Sequence, residues 1–247
     1  MTTPRFDLDK IIYSTSDETY QKAAKLYESG EIGHFRDTGY LYQATVYGSH
    51  PYTVSISAKN FDHGDCDCYM GQHDYVCKHI VALAIYAVLR GQPIPKSLGQ
   101  ITDTPHCSGQ LGDLSSAELV KIKTSITSAL KYIKGYNGPS RTWFAYQDSL
   151  SEGSKRLSTI VSALPVSRPI GKIIWQLLLR LNKKLVSGGV DDSDGTVGAF
   201  IEGCVDVLLA YIKLDPSCRN DLKLPLNFES SFGWEERLFI SLQGPTL

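Results

Sequence analysis

The sequence lacks the features of a membrane protein or of a disulfide-stapled secreted domain. Its longest strongly apolar run, Ile80 to Leu89, has ten residues, whereas a membrane-spanning helix needs about twenty. The six cysteines in 247 residues are too few for a disulfide framework, and the first residues contain no apolar signal segment. We therefore expect a cytoplasmic, intracellular protein with reduced thiols and no membrane contact.

A large excess of one charge is also absent. The chain has 25 Lys and Arg against 26 Asp and Glu, for a formal net charge of −1, so it carries no global basic footprint for nucleic acid. Hydrophobic residues make up 42% and charged residues 21% of the chain, a composition typical of a folded globular protein rather than a disordered one. Any role in nucleic-acid binding would need a local basic patch.

The sequence contains none of the common short motifs of enzyme active sites. We find no GxxxxGK[ST] phosphate loop, no GxGxxG fingerprint and no GxSxG elbow. None of the six histidines is followed two residues later by glutamate, as zinc deaminases require. We therefore expect a protein that is not an enzyme and has no small-molecule substrate.

The first third of the chain predicts a small α+β module. Thr15 and Glu18 have capping-box spacing, which predicts a helix from there to about Gly30. Residues 40–47 and 52–57 alternate in polarity around a Gly-Ser-His-Pro break, which predicts a β-hairpin. A helix is predicted from Lys78 to about Arg90, before a Pro-containing linker that reaches residue 109. We assign residues 1–95 to this ββα module.

Beyond the linker the sequence predicts an all-α helical bundle over residues 110–247. Ser115 with Glu118, and Ser149 with Glu152, have capping-box spacing ahead of apolar stripes. A third helix is predicted after Pro169, and a fourth from about Asp194, which we interpret as a helix cap because the nearby aspartates do not fit a calcium-loop register. Four amphipathic helices with short connections favour a bundle.

The most informative segment has the pattern CxC, eight residues, then CxH, formed by Cys66, Cys68, Cys77 and His79. Three thiolates and one imidazole are the ligands that Zn²⁺ prefers in a closed tetrahedral site. Cys77 and His79 would lie at the start of a helix, where exposed N–H groups stabilise thiolate charge. The alternatives are ordinary buried cysteines beside a surface histidine, or competition from His63 or His73 for the metal.

A β-hairpin, a CxC, a spacer, a CxH and an apolar helix together resemble the SWIM zinc finger, over about residues 17–90. The resemblance implies Cys66, Cys68, Cys77 and His79 as zinc ligands. It also implies a module that contacts DNA or protein, as in bacterial proteins, Swi/Snf-type ATPases, Mutator-type transposases and recombination accessory factors. Family members often have proline after the CxC, where this chain has Tyr69, so the local turn is expected to differ.

Local charge separates the two classes of partner. Residues 61–79 contain four aspartates and one lysine, a surface that would repel a phosphate backbone. The leading hypothesis is therefore protein–protein scaffolding, with a nucleic-acid-remodelling ATPase of the Swi/Snf type as a candidate partner.

Direct nucleic-acid binding is the alternative hypothesis, because residues 119–147 contain no acid and interleave cations with aromatic residues. The same pattern also fits a solvated helix face followed by an aromatic-rich core loop, and a zinc hydrolase ranks third. The cations are Lys121, Lys123, Lys131, Lys134 and Arg141.

Overall fold

The computed structural model describes residues 3–95, 101–140 and 143–243. The chain divides into two compact units, residues 1–99 and 100–247. A small antiparallel sheet with helices forms the first unit and helices form the second, which confirms the predicted α+β class. None of the described helices combines the length and the apolar character that a membrane span requires.

Within its described residues the first unit contains three α-helices and a four-stranded sheet, in which the strands lie in chain order and all neighbouring strands are antiparallel. The elements are α1 (Leu8–Tyr13), α2 (Asp17–Glu28), β1 (Ile32–Asp37), β2 (Leu41–Tyr47), β3 (Pro51–Ser57), β4 (Asp65–Cys66) and α3 (Lys78–Leu89). The predicted hairpin is confirmed as β2 and β3, with Ala44 opposite Val54. Sequence analysis missed α1, β1 and β4, so the unit is larger than a ββα motif.

The core of the first unit lies on one face of the sheet. Alternate residues of β2 are buried, among them Tyr42 and Val46, because successive side chains of a strand point to opposite faces. Helix α3 packs against β2 and β3 on this face and against α2, and it is buried almost all round, as expected for an apolar helix at the centre of a small unit. The opposite face exposes polar side chains such as Gln43 and Thr53.

The start of α2 differs by one residue from the prediction. Ser16, not Thr15, is the N-cap, and its hydroxyl accepts from the backbone N–H of Thr19 at 3.3 Å. The Thr15 hydroxyl instead donates to the carbonyl of Ile11. The predicted cap was wrong because helix α1, which the sequence did not reveal, uses Thr15 at its own C-terminal end.

The second unit contains five α-helices within its described residues, and their apolar faces form one buried cluster. They are α4 (Ser116–Ala129), α5 (Trp143–Ser162), α6 (Arg168–Val186), α7 (Thr196–Leu214) and α8 (Glu236–Gln243). Helix α7 packs against α5, α6 and α8. The capping box predicted at Ser115 and Glu118 is confirmed. Helix α8 was missed because its eight residues form only about two turns, which is too short for a clear periodic pattern.

The capping box predicted at Ser149 and Glu152 is wrong, because both residues lie inside α5. The Ser149 hydroxyl donates to the carbonyl of Tyr132 at 2.9 Å, and the buried Glu152 carboxylate pairs with Arg156. Helix α5 begins earlier, at Trp143, where the buried Tyr146 lies one turn before the buried Leu150. The aromatic segment expected to be a loop is therefore the first part of a helix.

The N-cap residue of α7 is Gly195, and the first-turn N–H groups are satisfied by Asp192 as well as by the predicted Asp194. The Asp192 carboxylate accepts from the backbone N–H groups of Val197 and Gly198 at 2.7 and 2.8 Å. Asp194 accepts from the N–H of Thr196. Two aspartates therefore satisfy exposed donors in the first turn of α7, which accounts for the aspartate-rich segment without a cation.

The second unit begins before residue 110, since residues 101–109 lie against α5 and the residues that follow it. The backbone N–H of Thr102 donates to the Thr159 hydroxyl, and the N–H of His106 donates to the Ser162 hydroxyl at 3.0 Å. Ser108 donates to the carbonyl of Leu164 at 2.7 Å. The described part of the predicted linker thus belongs to the helical unit, and residues 96–100 lie outside the described residues.

Candidate metal centre

The structure brings together the four residues that the sequence singled out. One ligand atom each from Cys66, Cys68, Cys77 and His79 lies within 4.8 Å of the other three, and all four residues are buried. A tetrahedral zinc ion with Zn–S bonds of about 2.3 Å and a Zn–N bond of about 2.0 Å separates its ligand atoms by roughly 3.5 to 3.8 Å. The cluster is therefore close to the size of a zinc coordination shell.

Strand and helix ends position three of these ligands. Cys66 ends β4, where it pairs with Val54 of β3. Cys77 is the N-cap of α3, with extended backbone, and its carbonyl accepts the first helical bond from the N–H of Val81. His79 lies in the first turn of α3. The apolar residues that pack α3 against the sheet therefore also place Cys77 and His79 near the end of β4.

A tight turn at Gly71 completes the site. A Cβ atom at this position would lie 2.7 Å from the Cβ of Cys66 and closer still to its carbonyl oxygen, so only glycine fits here. The backbone N–H of Gly71 donates to the Cys68 sulfur at 3.4 Å. An N–H···S bond of this kind fixes the direction of the Cys68 sulfur.

The His79 ring presents Nδ1 to the thiols. Nδ1 lies 3.7 Å from the Cys66 sulfur and 3.8 Å from the Cys77 sulfur. The ring stacks on Tyr52, with centroids 4.3 Å apart, and Nε2 lies on the Gly48 side, where an added Cβ would approach it to 3.1 Å. Nδ1 is therefore the nitrogen available to a metal.

The pKa values of the Cys66 and Cys77 thiols are shifted in opposite directions. A hydrogen bond from the Cys66 thiol lowers the pKa of Cys77, and bonds from His79 and from the N–H of Ile80 lower it further, against the effect of burial. The same bond, together with burial, raises the pKa of Cys66. Cys77 is therefore the thiolate that forms most readily, at the N-terminus of α3 where the helix dipole favours negative charge.

The chemistry of this donor set fits zinc. Three soft thiolates and one imidazole exclude magnesium and calcium, which take oxygen ligands. The alternative histidines lie apart from the cluster. His73 is exposed, with Nδ1 2.7 Å from the carbonyl of Tyr69, and the exposed His63 ring lies beside Asp62.

The basic stretch at 119–147 is divided by the structure. Lys121 and Lys123 are exposed on α4, and Lys131 and Lys134 are exposed in the segment that follows it. Arg141 lies outside the described residues.

Most of the aromatic side chains in this stretch are used internally. The Arg156 guanidinium lies over Tyr132 at 4.7 Å, Tyr146 is buried, and Trp143 Nε1 donates to the Asp191 carboxylate. Phe144 is the aromatic that remains largely exposed among the described residues of the stretch. The predicted interleaving of exposed cations and aromatics is thus only partly present.

Comparison with known proteins gives one match. No curated protein and no solved structure matches the chain. Residues 52–87 match the family model of the SWIM zinc finger. The matched segment runs from strand β3 into helix α3 and contains Cys66, Cys68, Cys77 and His79, so the resemblance first read from the cysteine spacing is confirmed for this part of the chain.

Proposed function

We propose that the chain is a zinc-binding recognition protein without catalytic activity, in which zinc stabilises a unit that contacts a protein partner. The observation that carries this proposal is the convergence of four buried protein ligand atoms within 4.8 Å. Four such ligands complete a tetrahedral shell, as in structural zinc sites, whereas catalytic sites keep a position for water or substrate. Zinc would therefore act on the fold.

Charge around the site favours a protein over nucleic acid. Asp65, Asp67 and Asp74 are exposed close to the ligands in sequence, and zinc with three thiolates and a neutral imidazole adds a net charge of about −1. The phosphate backbone of a nucleic acid would be repelled here. A protein partner is consistent with this surface, and a Swi/Snf-type remodelling ATPase is the candidate that the SWIM resemblance suggests.

Metal analysis and affinity capture test the proposal. The purified full chain should contain one zinc ion, and capture from its native cell should recover a partner that Cys77→Ser loses. Zinc-free protein from a chelator-free preparation would contradict it. A partner retained equally by Cys77→Ser would separate recognition from the zinc unit.

The alternative function is nucleic-acid binding through the second unit, which a separate binding measurement tests. Four exposed lysines, Lys121, Lys123, Lys131 and Lys134, favour it. Reversing the charge of Lys131 and Lys134 should then weaken binding to a labelled oligonucleotide and reduce its salt dependence. Asp65→Asn is the matched control, and it should not weaken this binding.

A further inference from the structure

The spacer between the two ligand pairs exposes apolar side chains. We call residues 69–75 the knuckle. Within these seven residues Tyr69 is 74% exposed, Tyr75 62% and Met70 46%. Exposed large apolar side chains that cluster on one short segment commonly mark a contact surface, whereas scattered ones need no explanation.

The knuckle is held in one conformation by its own hydrogen bonds. The N–H of Gln72 donates to the carbonyl of Cys68 at 2.9 Å, and the N–H groups of His73 and Tyr75 both donate to the carbonyl of Met70. The Tyr69 and His73 rings lie 4.4 Å apart. Rigid aromatic anchors lose little conformational entropy on binding, so the knuckle is suited to recognition.

An acidic hollow adjoins the knuckle. It has a volume of about 480 Å³ and lies over the open face of the sheet. Three of its lining residues are the aspartates Asp65, Asp67 and Asp74, and Gln72 of the knuckle lines it as well. The carboxylates of Asp65 and Asp67 are oriented by the Ser55 hydroxyl and the backbone N–H of Thr53. Asp74 of the hollow directly precedes the exposed Tyr75 in the chain, so the acidic hollow and an exposed aromatic residue adjoin on one segment, which suits cations with aliphatic stems.

We propose that the knuckle and its acidic hollow dock an extended, lysine- and arginine-rich segment of a partner protein. This rests on the proposed function, since it names the partner class of the zinc unit. The cationic side chains of this segment pack their aliphatic stems on the Tyr69 and Tyr75 rings and place their charged ends beside Asp74. Because the knuckle lies between Cys68 and Cys77, zinc bound by these residues would fix the positions of its two ends relative to the sheet.

A peptide array tests this surface. The full-length, zinc-loaded chain is incubated with random dodecapeptides, and the best peptide is titrated by fluorescence anisotropy at about 50 and about 300 mM salt. We expect the selected peptides to be rich in lysine, arginine and aliphatic residues. We also expect affinity to fall at the higher salt, since exposed charges are screened.

Matched variants then locate the contact. Tyr69→Ser combined with Tyr75→Ser should weaken the peptide about tenfold or more, as for aromatic anchors at interfaces, and Asp74→Asn about threefold. Tyr40→Ser, at another highly exposed tyrosine, and Glu28→Gln, at an exposed acid on α2, should leave affinity unchanged. Each variant should keep its zinc, which shows that the unit is still folded.

Three results would overturn the proposal: selected peptides that are neutral or acidic, knuckle variants that bind as well as their controls, or an oligothymidylate that binds wild type and is lost with the tyrosines. The last result would assign the knuckle to single-stranded nucleic acid. Failure here with one zinc bound and a partner captured through the zinc unit would leave the recognition role standing. Failure of zinc binding or of capture would instead reject the proposed function itself.

Discussion

In the first unit, helix α3 and the sheet enclose a cluster of four metal ligands, whereas α5, α6 and α7 of the second unit bury side chains such as Leu150, Leu178 and Leu208. Within the described residues the second unit has no comparable group of ligands. We expect the fold of the first unit to depend on zinc, because removal of the metal would leave three thiols and an imidazole buried together without the ion that they fit. The described core of the second unit is held by apolar packing. The two units should therefore respond differently to loss of metal.

Cys77→Ser should give the largest effect. Structural zinc contributes on the order of 10 kcal/mol to folds of this kind, so the variant should lose its zinc and the first unit should unfold. Circular dichroism and metal analysis of the full chain check this. The helical unit should keep its melting transition. An unaltered spectrum after removal of the metal would show that the first unit is stable without zinc.

Leu178→Ala should act only on the second unit. Leu178 is fully buried on α6, and truncating such a leucine leaves a cavity that costs about 4 kcal/mol. Denaturant unfolding should show the loss in the helical transition, while zinc content stays at that of wild type. A change in zinc affinity would mean that the two units are energetically coupled.

Removing residues 101–109 tests where the second unit begins. A fragment of residues 101–247 should be helical and should melt at the same temperature with and without a chelator. A fragment of residues 110–247 lacks the bonds to Thr159, Ser162 and Leu164, and at about 1 kcal/mol for each bond it should be less stable by about 3 kcal/mol. Equal melting temperatures would restore residues 101–109 as a linker.

Gly71→Ala should weaken the metal centre without removing a ligand. The added methyl group would overlap Cys66, and displacing well-packed atoms costs about 2 kcal/mol. Chelator competition should show weaker zinc binding. Gly112→Ala is the matched control, because its Cβ would lie at an ordinary 3.5 Å from Pro165, and it should retain zinc as wild type does.

Ser115→Ala should give the smallest effect, a loss of about 1 kcal/mol from the helical unit through its N-cap. Hydrogen bonds from Ser115 lower the pKa of Glu118 below its ordinary value. A lowered pKa means that this stabilisation is present above the ordinary glutamate range and is lost as the pH falls through the lowered value. The difference in melting temperature between wild type and variant should therefore be smaller at acidic pH than at neutral pH.

Local patterns predicted the elements whose causes are local. The sequence showed the alternation in β2 and β3, the apolar run of α3 and the Ser115 capping box, because each of these patterns depends on residues that are close together in the chain. The same rule failed at Ser149, where capping-box spacing occurs inside α5. Strand β1 was missed because a register shift between Gly33 and Arg36 breaks the alternation of its residues. Strand β4 was missed because its two residues form a strand only through their pairing with Val54 and Ser55 of β3.

The zinc ligands could be predicted because their chemistry is carried by residue type and spacing: three cysteines and a histidine within fourteen residues have few other uses. Which nitrogen of His79 faces the thiols, and why Gly71 permits the turn, depended on the approach of β4 to the start of α3. The acidic hollow likewise required Asp65 and Asp74 to meet the outer face of the sheet. Sequence by itself determined the ligand set and the helical stripes, since both are local; only tertiary structure decided the surface beside them, because it joins segments that are separate in the chain.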